Sequence, residues 1–156
     1  MQSLSSWILE DFQLKFIEEI ISHISCNDKT FHIKASRRHG SSTMCLYISI
    51  ALTLQENSNV FIIINSMRSL PVIYSMVKEF TSRLYINYDN IIQNIKIITP
   101  IEYTNNVTPT DNDILLFDHT LCENIGENNC ITFIITHFDE KIDIHKSITE
   151  IKLNVY

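Results

Sequence analysis

Seven consecutive residues, Arg37 to Thr43, carry the residue types that a phosphate-binding loop needs. They read Arg-Arg-His-Gly-Ser-Ser-Thr, between a short apolar alternation at Phe31 to Ala35 and a run of apolar residues at helical spacing that starts from Ser42. The pattern predicts a strand, a loop and a helix in that order. Unpaired N–H groups and the dipole at the start of a helix favour an anion just ahead of it. Gly40 is one of only two glycines in the chain, which indicates a backbone position that needs a positive φ or close approach by a ligand.

This loop resembles the divergent Walker A loop of viral and phage terminase large-subunit ATPases, in which a basic pair and one further residue precede Gly-Lys-Ser/Thr. Ser41 stands where that family has its phosphate-binding Lys, and Ser42 falls on the position of the Mg²⁺-binding Ser or Thr. The alternative is an ordinary surface turn between a strand and a helix, with two solvated arginines. The residues to which the resemblance gives a nucleotide-binding role in this loop are Arg37, Arg38, Gly40, Ser41, Ser42 and Thr43.

A second segment that could do chemistry begins at Asp113 and ends at Asp118 and His119, after four apolar residues, Ile114 to Phe117. An acid at the carboxyl end of a buried strand resembles the Walker B motif, in which the acid holds Mg²⁺ through water and the next residue is usually a Glu that polarises the attacking water. The resemblance implies that Ser42 and Asp118 hold the metal and that Asp118 and His119 are the catalytic residues. His119 replaces the Glu, and a neutral imidazole is a poorer base with no negative charge. The alternative is a buried strand that ends in a turn-forming Asp.

Two further segments follow the order of motifs in the same family. Leu9 to Gln13 is similar to the terminase and helicase segment in which an aromatic residue and a Gln contact adenine, so Gln13 is a candidate adenine ligand. A solvated position on a helix surface is the alternative for this side chain. Thr136 ends the apolar run that begins at Ile131, where terminases carry a coupling motif of small polar residues, and it is a candidate sensor of the γ-phosphate.

The spacing of apolar residues divides the rest of the chain into helices and strands. Helical spacing predicts an amphipathic helix over Trp7–Ile24 and a second helix over Met67–Leu84, in which Pro71 is tolerated in the first turn. Continuous runs of β-branched residues predict strands that are covered on both faces, as in a parallel sheet. Ile101 to Asn112, rich in Asn, Thr and Pro, is predicted to be an exposed loop. The further predicted strands are Val60–Ile64, Ile95–Thr99, Ile131–Thr136 and, at a sheet edge, Ile151–Tyr156.

This order of elements predicts a three-layer α/β domain with a mostly parallel sheet, and the resemblance makes it P-loop NTPase-like. At 156 residues, of which 45% are hydrophobic and 19% charged, the chain can build one core, so a single folded domain over residues 1–156 is predicted. Its apolar runs are too short to cross a bilayer, which predicts a soluble, intracellular protein with no membrane partner.

The spacing of cysteines and histidines does not favour a disulfide framework or a metal centre. The four cysteines form no C-x-x-C pair, and the six histidines never occur at i, i+4 spacing. Reduced thiols and no zinc are therefore expected. A Ser/His/Asp hydrolase is not favoured either, since the chain has no G-x-S-x-G segment.

The charge balance limits how the chain can contact nucleic acid. A net charge of −6 has the wrong sign for a protein that grips DNA over a broad face, so DNA contacts are expected only locally or through partners. Heavy use of Ile and Asn is typical of AT-rich genomes. With the terminase resemblance, it indicates a viral protein that acts in an infected host cell, in the nucleus or at a viral assembly site.

The resemblance implies a terminase-like ATPase that acts in DNA packaging or genome processing, with ATP and Mg²⁺ as cofactors and other viral packaging or assembly proteins as partners. The missing Lys and Glu lower the expected activity, since removing one group that acts on transition-state charge commonly costs about two to three powers of ten in rate. The alternative is a catalytically inactive scaffold with the P-loop fold, which binds another viral or host protein. A helicase-like fragment would need a basic strand-tracking surface, which this acidic chain lacks.

Overall fold

A parallel sheet is the centre of the fold in a computed structural model of the chain, which describes residues 11–35, 41–56, 58–120, 129–136 and 148–153. The strands are β1 (Thr30–Ala35), β2 (Val60–Ile64), β3 (Ile95–Ile98), β4 (Ile114–Asp118), β5 (Ile131–Thr136) and β6 (Thr149–Leu153). Within the described residues these six strands lie in the order β3-β2-β4-β5-β1-β6, and every neighbouring pair is parallel. The predicted α/β class is confirmed, and the sheet is parallel throughout rather than mostly so.

Helices cover both faces of the sheet, which gives three layers. They are α1 (Asp11–Ser25), α2 (Ser41–Glu56), α3 (Leu70–Arg83), α4 (Tyr88–Ile92) and α5 (Pro100–Asn106). On one face, buried side chains of α1 to α4, such as Phe16 and Phe80, pack against the sheet. Ile62 of β2 belongs to the same core. On the other face, Tyr103 of α5 packs with Phe117 of β4. Among the described helices, none combines the length and the apolar character that crossing a bilayer requires.

Burial on both faces explains why the strands appear in the sequence as continuous apolar runs. Side chains of a strand alternate between the two faces, so a strand with only one buried face would alternate apolar and polar residues. In β5, Phe133 and Ile135 belong to the core under α1 to α4, whereas Ile134 belongs to the core under α5. All three side chains are fully buried.

The prediction of an exposed loop over Ile101 to Asn112 is wrong in its first half, where α5 forms. Thr99 is the N-cap: its Oγ1 accepts the backbone N–H of Glu102 at 3.2 Å, and Glu102 Oε1 accepts the backbone N–H of Thr99 at 3.4 Å. Pro100 occupies the first turn, where its missing N–H costs nothing. The helix also buries Tyr103, whose ring meets Phe117 edge-on at 5.3 Å between centroids. Capping and this one aromatic anchor outweigh the loop-like composition.

Replacing Thr99 with Ala is expected to lower the free energy of unfolding by about 1 kcal/mol, because the backbone N–H of Glu102 loses its acceptor and the Glu102 carboxylate loses the hydroxyl that donates to it. Urea denaturation followed by circular dichroism measures this change. The matched control is Thr104→Ala, an exposed threonine inside the same helix, where Ala has the higher helix propensity and no loss is expected. Equal stability of the Thr99 variant and the wild type would show that the capping box does not hold α5.

The other predicted elements agree with the structure, with shifts at their ends. The predicted helix over Met67–Leu84 is a 3-10 turn at Met67–Ser69 followed by α3, which begins at Leu70. The short helix α4 was not predicted. Strand β6 lies at a sheet edge, beside β1, as predicted, while residues 154–156 of that predicted strand and residues 7–10 of the predicted N-terminal helix lie outside the described residues.

Candidate functional site

The carboxyl edge of the sheet brings two predicted site residues into contact. Because β1 and β4 run parallel in one sheet, their last residues, Ala35 and Asp118, lie at the same edge. Helix α2 starts there, and the Oγ of its second residue, Ser42, donates a hydrogen bond to Oδ1 of Asp118 at 2.9 Å. These residues are 76 positions apart in the chain. The predicted metal pair is thus adjacent in space.

A small cavity lies beside this pair, between α2, α3 and the sheet. Its volume is about 20 Å³, room for about one water molecule. The apolar side chains that line it beside Ser42 and Asp118 are Leu46, Ile62, Ile73, Met76 and Leu116. Apolar lining on one side of a partly buried carboxylate, 23% exposed here, strengthens its interaction with any cation at the edge.

Cys45 lies close to the same carboxylate but is not a candidate nucleophile. Burial raises the pKa of its thiol far above the usual range, and the negative charge of Asp118 raises that pKa further. The reactive form of cysteine is the thiolate, which this environment disfavours. The thiol of Cys45 therefore acts as part of the core, as does that of Cys130, whereas Cys26 is exposed.

His119 has an unusual backbone conformation at the end of β4. Its φ is +54°, in the left-handed region that non-glycine residues seldom occupy, although His is among those found there more often. Its backbone N–H donates to the carbonyl of Ile135 on β5 at 3.0 Å. The imidazole is 40% exposed, and its Nε2 lies 3.8 Å from Oδ1 of Asp118, within ion-pair range but too far for a hydrogen bond. The imidazole is therefore next to the predicted metal ligand Asp118 and is exposed to solvent at the carboxyl edge of the sheet.

Asn65, directly after β2, is a site residue that the sequence did not indicate. Its Nδ2 donates to the carbonyl of His119 at 3.0 Å, and its Oδ1 accepts the hydroxyl of Thr120 at 2.8 Å. The register places Ile64 beside Asp118, so Asn65 is next to the turn that follows β4. A polar residue at the carboxyl end of a buried parallel strand is a signal that could have identified it, since ligands of such sheets bind at this edge.

The remaining predicted residues are placed as follows. Thr43 Oγ1 donates to Sδ of Met76 on α3 at 3.4 Å, so its hydroxyl contacts the neighbouring helix rather than Asp118. Gln13 lies in the first turn of α1 and is half-buried. The backbone of Ser41 begins α2. Arg37, Arg38 and Gly40 lie outside the described residues.

Thr136 ends β5, and its hydroxyl lies inside the protein. It is 1% exposed, and its Oγ1 is 2.7 Å from Nε2 of His32 on β1. The γ-phosphate role of Thr136 stays a prediction, and it would require the hydroxyl to leave His32.

The site offers oxygen ligands that suit Mg²⁺ only together with a further donor. Within the described residues, no group of three or more His, Cys, Asp or Glu side chains could hold a metal ion. Mg²⁺ prefers oxygen ligands, keeps several waters and is commonly held by one or two carboxylates together with substrate phosphates. A hydroxyl and one carboxylate, Ser42 and Asp118, therefore suit a cation that arrives with a phosphate better than a cation bound alone.

The contact between Ser42 and Asp118 is a property of the geometry of this chain. Ser42 and Asp118 were each named from a local pattern, and their contact depends on the order of the strands, which neither pattern contains. Comparison with known proteins adds nothing to it, because no family model, no curated protein and no solved structure matches the chain.

Proposed function

We propose that the chain is a P-loop NTPase-like domain that binds Mg·ATP at the carboxyl edge of its sheet. The observation that carries the proposal is the hydrogen bond of 2.9 Å from Ser42 Oγ to Asp118 Oδ1. Both residues were expected to hold one Mg²⁺ ion, and two ligands of the same ion must lie within a few ångströms of each other. Their contact across 76 residues is what a shared cation requires.

The N-terminus of α2 supplies the second part of the proposed site. The helix runs for 16 residues from Ser41, directly at the edge where β1 and β4 end. Its first N–H groups and its dipole favour the phosphates of a nucleotide, whose oxygens would complete the coordination of the cation. Ser42 lies in this first turn, so one short segment can contact both phosphate and metal. Arg37 or Arg38 would supply the positive charge that Ser41 cannot.

The proposed biological role follows the terminase resemblance. The domain acts in the packaging or processing of viral DNA in an infected cell, together with other viral packaging or assembly proteins. Its net charge of −6 supports contact with DNA through those partners or over a small area. Hydrolysis of ATP is absent or very slow, because the loop has Ser41 for Lys and β4 is followed by His119 for Glu.

A scaffold of the same fold without nucleotide chemistry is the second candidate. What favours it is that Ser42 and Asp118 satisfy each other directly, so the pair is stable with no ion between them. Such a protein would keep the fold to bind another viral or host protein. The two candidates differ in one measurable property, which is saturable binding of Mg·ATP.

Titration of a fluorescent ATP analogue with Mg²⁺ tests the proposal. We expect Ser42→Ala to weaken binding by about tenfold to a hundredfold, the equivalent of one hydrogen bond or ligand contact to a charged group, roughly 1.5–3 kcal/mol. Ser69→Ala is the control, since that residue lies after β2 and its side chain makes no capping hydrogen bond. If the wild type shows no saturable binding, or if Ser42→Ala binds as the wild type does, the nucleotide proposal is abandoned and the scaffold is favoured.

A further inference from the structure

We infer that Asn65 is a positioning residue that fixes the backbone of His119 and thereby directs its imidazole towards the carboxylate of Asp118. Its relevance to nucleotide rests on the proposed function, whereas the effect on His119 itself does not. Asn65 uses both ends of its amide: Nδ2 donates to the carbonyl of His119, and Oδ1 accepts from Thr120. One side chain thus holds two successive residues of the turn after β4.

The turn needs such a restraint because its backbone is unfavourable. A left-handed conformation is disfavoured at a residue with a Cβ atom, because the Cβ comes too close to the carbonyl oxygen that follows it. His119, at φ +54°, has its N–H bound to Ile135 of β5 and its carbonyl bound to Asn65. The residue is therefore held from two neighbouring strands, β5 on one side of β4 and β2 on the other.

The conformation of this backbone decides where the imidazole lies. If φ of His119 returned to a negative value, its Cα–Cβ bond would turn to another direction, and Nε2 would leave its position 3.8 Å from Asp118. Asn65 touches no atom of the imidazole in the hydrogen bonds described here; it acts on the main chain. For that reason its contribution persists when the side chain at position 119 is changed.

Strand topology supports a role at the site rather than in the core. The strand order diverges at the β2–β4 pair, because β3, which follows β2 in the chain, and β5, which follows β4, lie on opposite sides of that pair. Ligands of open parallel sheets bind in the crevice that such a divergence creates at the carboxyl edge. Asn65, His119 and Asp118 all lie at this carboxyl edge, next to the ends of β2 and β4. Asn65 is also exposed, as a residue that borders a ligand site can be.

The test records two signals of His119 without nucleotide in isotope-labelled full-length protein: the imidazole carbon–proton resonance and the hydrogen exchange of its backbone amide. In Asn65→Ala we expect the resonance to shift and the amide exchange to become roughly two- to tenfold faster, the factor expected for loss of one hydrogen bond. Thr120→Val removes the other hydrogen bond of the Asn65 side-chain amide, the one that Oδ1 accepts, with little change of shape. It should move both His119 signals in the same direction as Asn65→Ala does. Asn90→Ala, an exposed asparagine on α4, is the control and should move neither.

These readouts separate positioning from general stability. A purely structural role would lower the unfolding temperature and leave the His119 signals of the folded protein at their wild-type values, and that result would overturn the inference.

Failure of the proposed function would look different. In that case Mg·ATP would not bind to any variant, while the two His119 signals, recorded in its absence, would still report on Asn65. If nucleotide does bind, Asn65→Ala should leave Mg·ATP affinity within about threefold of the wild type, since the residue contacts neither Ser42 nor the first turn of α2 in the hydrogen bonds described. A loss as large as that of Ser42→Ala would mean that Asn65 is itself a ligand, contrary to the inference.

Discussion

Introducing Ser41→Lys and His119→Glu together is expected to raise ATP turnover by at least about two to three powers of ten over the wild type, the usual effect of one group that stabilises transition-state charge. Each single change should do something different. A Lys at position 41 reaches the β and γ phosphates as a point charge already in the bound ground state, so it raises affinity more than turnover. A carboxylate at position 119 polarises the attacking water, which acts on the chemical step.

Phosphate release and binding of a fluorescent ATP analogue, measured on the wild type, both single variants and the pair, test this prediction. Asp118→Ala in the double variant should abolish the gained turnover, which controls for contaminating ATPase. Thermal unfolding of each variant is needed, because Glu adopts the positive φ of position 119 less readily than His does. If Ser41→Lys leaves nucleotide affinity unchanged in a folded protein, residues 36–43 form an ordinary turn, and the terminase hypothesis loses its main support.

The largest loss of stability is expected from Phe133→Ala. Phe133 is completely buried in β5, between β4 and β1, and its ring stacks on that of Phe31 with 5.6 Å between centroids. Truncation removes apolar surface and leaves a cavity that the flanking strands cannot close, so the free energy of unfolding should fall by about 3–5 kcal/mol. For a domain whose total stability is about 5–15 kcal/mol, that is a large fraction.

Equilibrium denaturation in urea measures this loss, with Ile101→Ala as the control. Ile101 is 73% exposed on α5, so its truncation should change the free energy of unfolding by no more than about 0.5 kcal/mol. A loss below about 1 kcal/mol for Phe133→Ala would mean that the centre of the sheet is not packed as described here.

Local sequence predicted the strands well because their physical signal is local. Runs such as Val60–Ile64 and Ile114–Phe117 are apolar on both faces, and in a chain of this size only a sheet covered on both sides buries them. The helix α5 was not predicted, although the sequence carries a signal for its start: Thr99 and Glu102 have the spacing of a capping box. The composition of the segment, rich in Asn and Thr, favours a loop, whereas this capping box favours a helix.

The candidate site was predictable only in part, for a different reason. Ser42 and Asp118 could be named because each ends or begins an element with a recognisable pattern. Their hydrogen bond could not, since it depends on which strands are neighbours, and that order is decided by the crossover helices. The place of Asn65 at the carboxyl end of a buried strand could have marked it as a candidate, but its contact with His119 could not be predicted, because the partner there is a main-chain carbonyl, which residue type does not reveal.

The place of β1 between β5 and β6 has a consequence for how the protein folds. Thr30 pairs with Thr132, and the side chains of His32 and Thr136, which meet in the finished sheet, are 104 residues apart in the chain. On a growing polypeptide, β5 and β6 leave the ribosome about a hundred residues after β1. Until then the backbone N–H and C=O groups of β1 lack both of their partner strands, and its apolar side chains lack these neighbours. Pairing of such distant segments must overcome a large loop-closure entropy, which slows folding. Synthesis of this chain should therefore depend on chaperones more than that of a helical bundle of equal length.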